Sequence, residues 1–139
     1  MKNDDTSDLT QLGSKSTEYK YDEPDKDMLE TFPNQFVAEY KVELYTQEMS
    51  SLCPKTGQPD FATITVEYIP DKLCVETKSY KLYMFAYRDH ASFMETITNK
   101  IKNDLVMVLQ PKWLEVRSRF NPRGGIYLNV TASYGPISI

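Results

Sequence analysis

The stretch Phe61–Tyr87, FATITVEYIPDKLCVETKSYKLYMFAY, changes its period partway along, and that change decides the fold. In its first part Ala62, Ile64, Val66 and Tyr68 alternate with Phe61, Thr63, Thr65 and Glu67. Such a period of two places one apolar face on a β-strand. Ile69-Pro70-Asp71-Lys72 breaks the run as a turn, and Leu73 and Val75 resume extended structure. From Ser79 the spacing lengthens: Tyr80, Tyr83 and Tyr87, with Leu82 and Ala86 beside them, predict a short helix.

Working outward, Phe36, Ala38, Tyr40, Val42 and Leu44 predict an earlier strand over Phe36–Tyr45. A longer helix is predicted from Ser92, with an apolar stripe of Phe93, Ile97, Ile101, Leu105 and Val108, and Pro111 ends it. Leu114, Val116, Ser118 and Phe120 predict a strand. After the turn Asn121-Pro122-Arg123-Gly124-Gly125, Ile126, Leu128 and Val130 predict the last one. The order is β-β-α-α-β-β, an α+β class in which short turns pair the strands antiparallel and two helices cover one sheet face. The free sheet edges favour oligomerisation into a ring.

The chain has 139 residues, enough for one domain. Residues 1–30 are polar and charged and are expected to form a flexible arm, with residues 31–139 as the single folded domain. A net charge of −4 argues against direct nucleic-acid binding, while leaving room for a local basic pocket. Two cysteines, Cys53 and Cys74, and one histidine, His90, do not make a convincing zinc site, so no metal is expected. No apolar run approaches a membrane span and the N-terminus lacks an apolar leader, so a reducing cytoplasm with free thiols is expected.

One loop carries candidate chemistry. Ser51–Phe61, SLCPKTGQPDF, holds Cys53 and Asp60 around two prolines and a glycine. Cys53 beside Lys55 fits either a small apolar residue at a strand end or a nucleophilic thiolate favoured by the ammonium. Asp60 fits either a turn carboxylate or the acid that protonates the atom receiving electrons. Gly124-Gly125 reads first as a turn. Lys78 and Lys81, and the cluster Arg117, Arg119 and Arg123, fit solvated charges or a positive field for phosphates. That second reading is favoured for the two lysines and left open for the arginines.

SLCPKTGQPDFATITVEYIP, together with ETKSYKLYMFAYR and FNPRGGI, resembles the queuosine-pathway nitrile reductases, the short single-domain 7-cyano-7-deazaguanine (preQ0) reductases. The resemblance covers nearly all the chain after about residue 10. It implies the tunnelling fold, ring assembly as a homo-oligomeric decamer of two stacked pentamers, and active sites between neighbours. It also implies reduction of a deazapurine nitrile to an aminomethyl group with NADPH as co-substrate. Cys53 matches the residue that forms a covalent thioimide and Asp60 the proton donor. Glu95 matches the carboxylate that anchors the guanine-like edge. Val75, Glu76 and Thr77 match a substrate-contacting stretch, and Lys78, Ser79 and Lys81 lie in the segment associated with NADPH.

Where the family usually has a histidine before the anchoring glutamate, this chain has Met94, at the substrate site, whose thioether donates no proton. His90, four residues earlier, could share its face if one helix ran through both. Two alternatives stand beside reduction. One is an amidine-forming transferase using the same thioimide; the other is a weakly active deazapurine-binding module.

Overall fold

The computed structural model describes residues 18–136. Its centre is a four-stranded antiparallel sheet in the order β2-β3-β5-β6, formed by β2 (Val42–Leu52), β3 (Pro59–Ile69), β5 (Trp113–Phe120) and β6 (Asn129–Tyr134). A short ladder of β1 (Thr31–Pro33) with β4 (Leu73–Val75) flanks it. Between the two sheet halves run α1 (Thr77–Phe85) and α2 (Met94–Leu109). This is the expected β-β-α-α-β-β order, with one small strand added before it and another within it.

The alternation in the opening stretch sets which face is covered. Ala62, Ile64, Val66 and Tyr68 are buried, as are Leu114, Val116 and Phe120 opposite them on β5. The helices supply Tyr80, Tyr83, Met84, Ile97, Ile101, Leu105 and Leu109 to the same core. Each fully buried side chain of this size contributes roughly 1.5–3 kcal/mol of apolar burial. The opposite sheet face is polar, and Arg117 lies across it between Glu67 and Glu115, with N–O distances of 2.6 Å to both.

Three boundaries differ from the sequence reading. The strand expected over Phe36–Tyr45 begins only at Val42 and runs on to Leu52. Residues 34–41 instead follow a loop organised by Asn34. Its side chain accepts from the Phe36 N–H and the Tyr40 hydroxyl, and donates to the Asp71 carbonyl. Val37 is 97% exposed there, so alternation had no sheet face to bury. The largely polar segment Thr46–Ser51, with Met49 as its one core residue, carries the strand instead, through a bulge between Thr46 and Met49.

The stripe on α2 consists of Ile97, Ile101, Leu105 and Leu109, while Phe93 is 63% exposed. Phe93 is the extended residue preceding the helix, so the helical period does not reach it. Finally, β6 begins at Asn129 rather than Ile126, because Arg123 and Ile126 close a tight turn on each other first.

Of the N-terminal arm expected over residues 1–30, residues 1–17 lie outside the described residues. Residues 18–30 run along the helices. Tyr19 packs edge-on against Phe85, Asp22 bonds His90 at 3.1 Å, and Leu29 is buried in the core.

Candidate active site

The turn between β2 and β3 is built from its backbone outward. The Cys53 N–H donates to the Gln58 carbonyl and the Gly57 N–H donates to the Cys53 carbonyl, both at 2.9 Å. Gly57 sits at φ 71°, where a side chain would be strained, so the glycine permits this closure. The turn is also fixed from the side. Leu52 donates its N–H to the His90 carbonyl and accepts from the Ser92 N–H. These two bonds hold the Cys53 end of β2 against the segment that leads into α2. Met94 and Glu95 occupy the first turn of that helix, so the nucleophile candidate and the anchor candidate belong to neighbouring elements.

Cys53 is half-buried and its thiol is free. The Thr56 hydroxyl, then the backbone N–H groups of Thr56 and Lys55, favour the thiolate and hold the thiol below the ordinary cysteine range. Partial desolvation opposes them, and the Arg123 guanidinium adds a smaller lowering. At neutral pH more of this thiol is therefore in its reactive form than for an isolated cysteine.

Asp60 is the second residue of β3 and points to the covered face, where it is only 5% exposed. Ser51 stands opposite it in register, fully buried, and its hydroxyl has no partner among the described residues. The carboxylate is met from another part of the chain. Arg123 reaches it at 2.5 Å and also bonds the carbonyls of Gln58 and Pro59, at 3.4 and 3.2 Å. Arg123 is carried by the β5–β6 connection, a tight turn with Gly124 and Gly125 at φ 56° and 77°. The double glycine is thus a turn, as the sequence suggested, and its task is to hold Arg123 in place.

The remaining candidates fall into two places. Met94 is half-buried and packs against the core, and its carbonyl accepts from the Thr98 hydroxyl. Glu95 is exposed and lines a shallow groove along α2 with Asn99 and Lys100. His90 lies outside α2, turned toward Asp22 and packed edge-on against Tyr87, so it does not share the Met94 helix face.

Val75, Glu76 and Thr77 sit at the far end of the sheet, where the Tyr68 hydroxyl accepts from the Val75 N–H. Eight strand residues separate Asp60 from Tyr68, which puts the two groups roughly 26 Å apart in one subunit. Glu76 caps α1, accepting from the N–H groups of Lys78 and Ser79. The Ser79 hydroxyl is engaged with backbone, donating to the Glu76 carbonyl and accepting from the Glu30 N–H. Lys78 is exposed, and Lys81 donates to the Tyr19 hydroxyl at 3.0 Å. Beside them a cleft of about 500 Å³ opens between β2 and α1, lined by Thr77, Tyr80, Lys81, Phe85 and Arg88 among others.

Two residues at the Cys53 turn escaped the sequence reading: Thr56, to which it gives no role, and Arg123 of the β5–β6 turn, which it leaves among three undecided arginines. Only the antiparallel register of β3 with β5, which sets Phe120 against Ala62, brings residue 123 to the start of β3. Among the described residues, no group of three or more His, Cys, Asp or Glu is placed to hold a metal ion.

Fold comparison identifies the class. The crystal structure of the archaeosine synthase QueF-Like in its apo form superposes with a TM-score of 0.64, covering 75% of this chain and all of that one at 18% identity. This likeness concerns the fold, an α+β unit of the tunnelling type.

Sequence comparison is narrower. The family model described as QueF-like protein matches residues 59–138. The NADPH-dependent 7-cyano-7-deazaguanine reductase of Nitratidesulfovibrio vulgaris is 57% identical over 130 residues, covering 93% of this chain and 78% of that one. Enzymes of the same name from Streptococcus mutans and Bacillus subtilis are 49% and 48% identical, over 97% and 91% of this chain and 83% and 77% of theirs. The chain belongs to the QueF family.

Proposed function

We propose that the protein is an NADPH-dependent oxidoreductase that reduces the nitrile of 7-cyano-7-deazaguanine to the aminomethyl group of 7-aminomethyl-7-deazaguanine, a step of queuosine biosynthesis. The observation that carries the reading is the turn with a thiolate-favouring Cys53 at one end and the enclosed Asp60 carboxylate at the other. It is supported by relatives of that name across more than nine-tenths of the chain.

A nitrile carbon is a modest electrophile. The Cys53 thiolate adds to it, forming a C–S bond while one C–N π pair moves to nitrogen. That nitrogen needs a proton, and Asp60 is the group to give it, passing on the proton that the Cys53 thiol loses. The product is a covalent thioimide on Cys53. Two NADPH molecules, binding one after the other, would each supply one hydride, the first for the thioimide and the second for the imine left when sulfur departs.

Glu95 accepts from the adjacent N–H and amino group of the base as a two-pronged contact. Met94 lies beside it and gives no proton, so Asp60 carries proton delivery alone. For the cofactor, the segment Lys78-Ser79-Tyr80-Lys81 suits phosphate contact. Lys81 and Arg88 bring positive charge to a cleft walled by Tyr80 and Phe85, and Ser79 fixes the first helical turn.

The substrate-contacting stretch Val75-Glu76-Thr77 lies too far from Cys53 to meet the same ligand within one subunit. We therefore assign it to the site of a neighbouring copy. Among the described residues each outer strand, β2 and β6, has one unpaired edge through which copies can join, and two stacked pentamers would close them. A reducing cytoplasm suits a mechanism that needs a free thiol.

The test is to supply 7-cyano-7-deazaguanine and follow NADPH oxidation. The expected result is two NADPH consumed per nitrile, with the aminomethyl compound as product. Product formation that requires ammonia or glutamine, with no NADPH consumed, would overturn it in favour of a transferase.

A further inference from the structure

Asp60 is enclosed by the fold yet bonded by a side chain from outside its own strand pair. Arg123 makes three contacts there: the carboxylate, and the carbonyls of Gln58 and Pro59 immediately before it. Those carbonyls belong to the same turn that the Cys53 N–H closes onto, since Cys53 donates to Gln58. One guanidinium therefore holds the Gln58–Asp60 end of the loop, and the Gln58 carbonyl links that end to Cys53.

The base of the clamp is itself rigid. Arg123 and Ile126 exchange backbone hydrogen bonds at 3.0 and 2.9 Å across the double glycine, and the Asn121 N–H donates to the Phe61 carbonyl. All three contacts are made by one guanidinium nitrogen, Nη2, which touches a single oxygen of the carboxylate, so Asp60 and the two carbonyls are gathered at one point. Other charged groups are carried on elements packed around the turn. Lys55 is on the turn itself and Glu95 begins α2, while His90 in the preceding segment faces Asp22.

We propose that Arg123 is a positioning residue for nitrile capture: by clamping the Gln58–Pro59 carbonyls and Asp60 together, it holds the proton donor in register with Cys53. The inference rests on the reaction proposed above. It assigns Arg123 no contact with substrate; its effect passes through Asp60. Held as a carboxylate by the guanidinium, Asp60 takes up the proton that the Cys53 thiol loses and passes it to the nitrile nitrogen, returning to the ion pair with Arg123.

The experiment measures the rate of covalent adduct formation with 7-cyano-7-deazaguanine, by intact mass, in Arg123→Gln, Arg123→Lys, Asp60→Asn and the Asp60→Asn/Arg123→Gln double variant. Iodoacetamide alkylation of Cys53, which needs the thiolate but no acid, is the parallel readout. Arg123→Gln should slow adduct formation about ten- to a hundredfold, the range expected for a lost charge-assisted pair, and slow alkylation far less. Arg123→Lys should recover part of the loss, by keeping the charge on a shorter-reaching, flexible side chain. In the Asp60→Asn background Arg123→Gln should cost little more, because residues that act as a unit are not additive.

An Arg123→Gln rate equal to wild type would overturn the proposal. So would a penalty that multiplies in full on Asp60→Asn, or an equal slowing of alkylation. Wild-type protein that forms no adduct would overturn the reaction itself, and that failure is seen before any substitution is made.

Discussion

Two enclosed carboxylates, about equally hidden, serve this molecule differently. Asp60 is 5% exposed and Asp104 is 8%. Asp104, on α2, accepts from the Tyr83 hydroxyl at 2.6 Å and from Lys100 at 3.0 Å, and Tyr83 in turn bonds Tyr87 at 2.7 Å. Tyr83 comes from α1, Tyr87 from the turn just after it and Lys100 from α2, so the network ties one helix to the other. Burial and the neighbouring carboxylate push both tyrosine hydroxyls far above the ordinary phenol range, so they remain donors. Asp60 is held by one arginine from a distant hairpin, faces an unpartnered Ser51 hydroxyl, and stands at the mouth of a turn with a reactive thiol. Asp104 is tied through one oxygen to groups that hold the helices together, whereas Asp60 is held from a single side at the edge of the core, as the proposed proton transfer requires.

That contrast can be broken by substituting each carboxylate. Asp60→Asn should lower NADPH turnover by about a hundredfold or more, as loss of a general acid does, with little change in the unfolding midpoint. Turnover near wild type would remove Asp60 from the chemistry. Asp104→Ala should do the reverse. It leaves the buried Tyr83 hydroxyl without its acceptor and should cost about 2 kcal/mol of stability by denaturant unfolding, while the folded protein reacts at the wild-type rate. A large rate loss with stability intact would erase the distinction.

Two smaller changes sharpen the picture at the Asp60 end. Met94→His adds a second proton-handling side chain, and turnover should rise on the order of tenfold, with adduct formation undiminished. Unchanged turnover would mean that Asp60 needs no help. Thr56→Val removes the largest cause of the lowered thiol pKa. Because a lowered pKa leaves more thiolate at a given pH, the alkylation midpoint should move up toward the ordinary cysteine value of about 8.5. A midpoint that stays where it was would mean that the backbone N–H groups of Thr56 and Lys55 suffice.

The sheet was legible because Ala62, Ile64, Val66 and Tyr68 are buried on one side only, which a period of two records directly. The Phe36–Tyr45 reading failed because alternation reports side-chain chemistry, whereas Asn34 captured that segment's backbone and the Tyr40 hydroxyl in a loop. The Cys53–Asp60 pair was legible because its shape is local: two prolines and a glycine within a single turn. Arg123 was not, since its closeness to Asp60 arises from strand register across some sixty residues. No spacing in the sequence encodes that distance. The separation of Val75–Thr77 from Cys53 was hidden for the same reason, because it depends on the direction in which β3 runs.

The account stands most directly on capture of the nitrile by Cys53. Intact-mass measurement of the protein with 7-cyano-7-deazaguanine and no NADPH should show one added substrate per subunit, absent in Cys53→Ala and discharged when NADPH is supplied. No added mass on the wild-type chain, or an adduct that persists in Cys53→Ala, would contradict it.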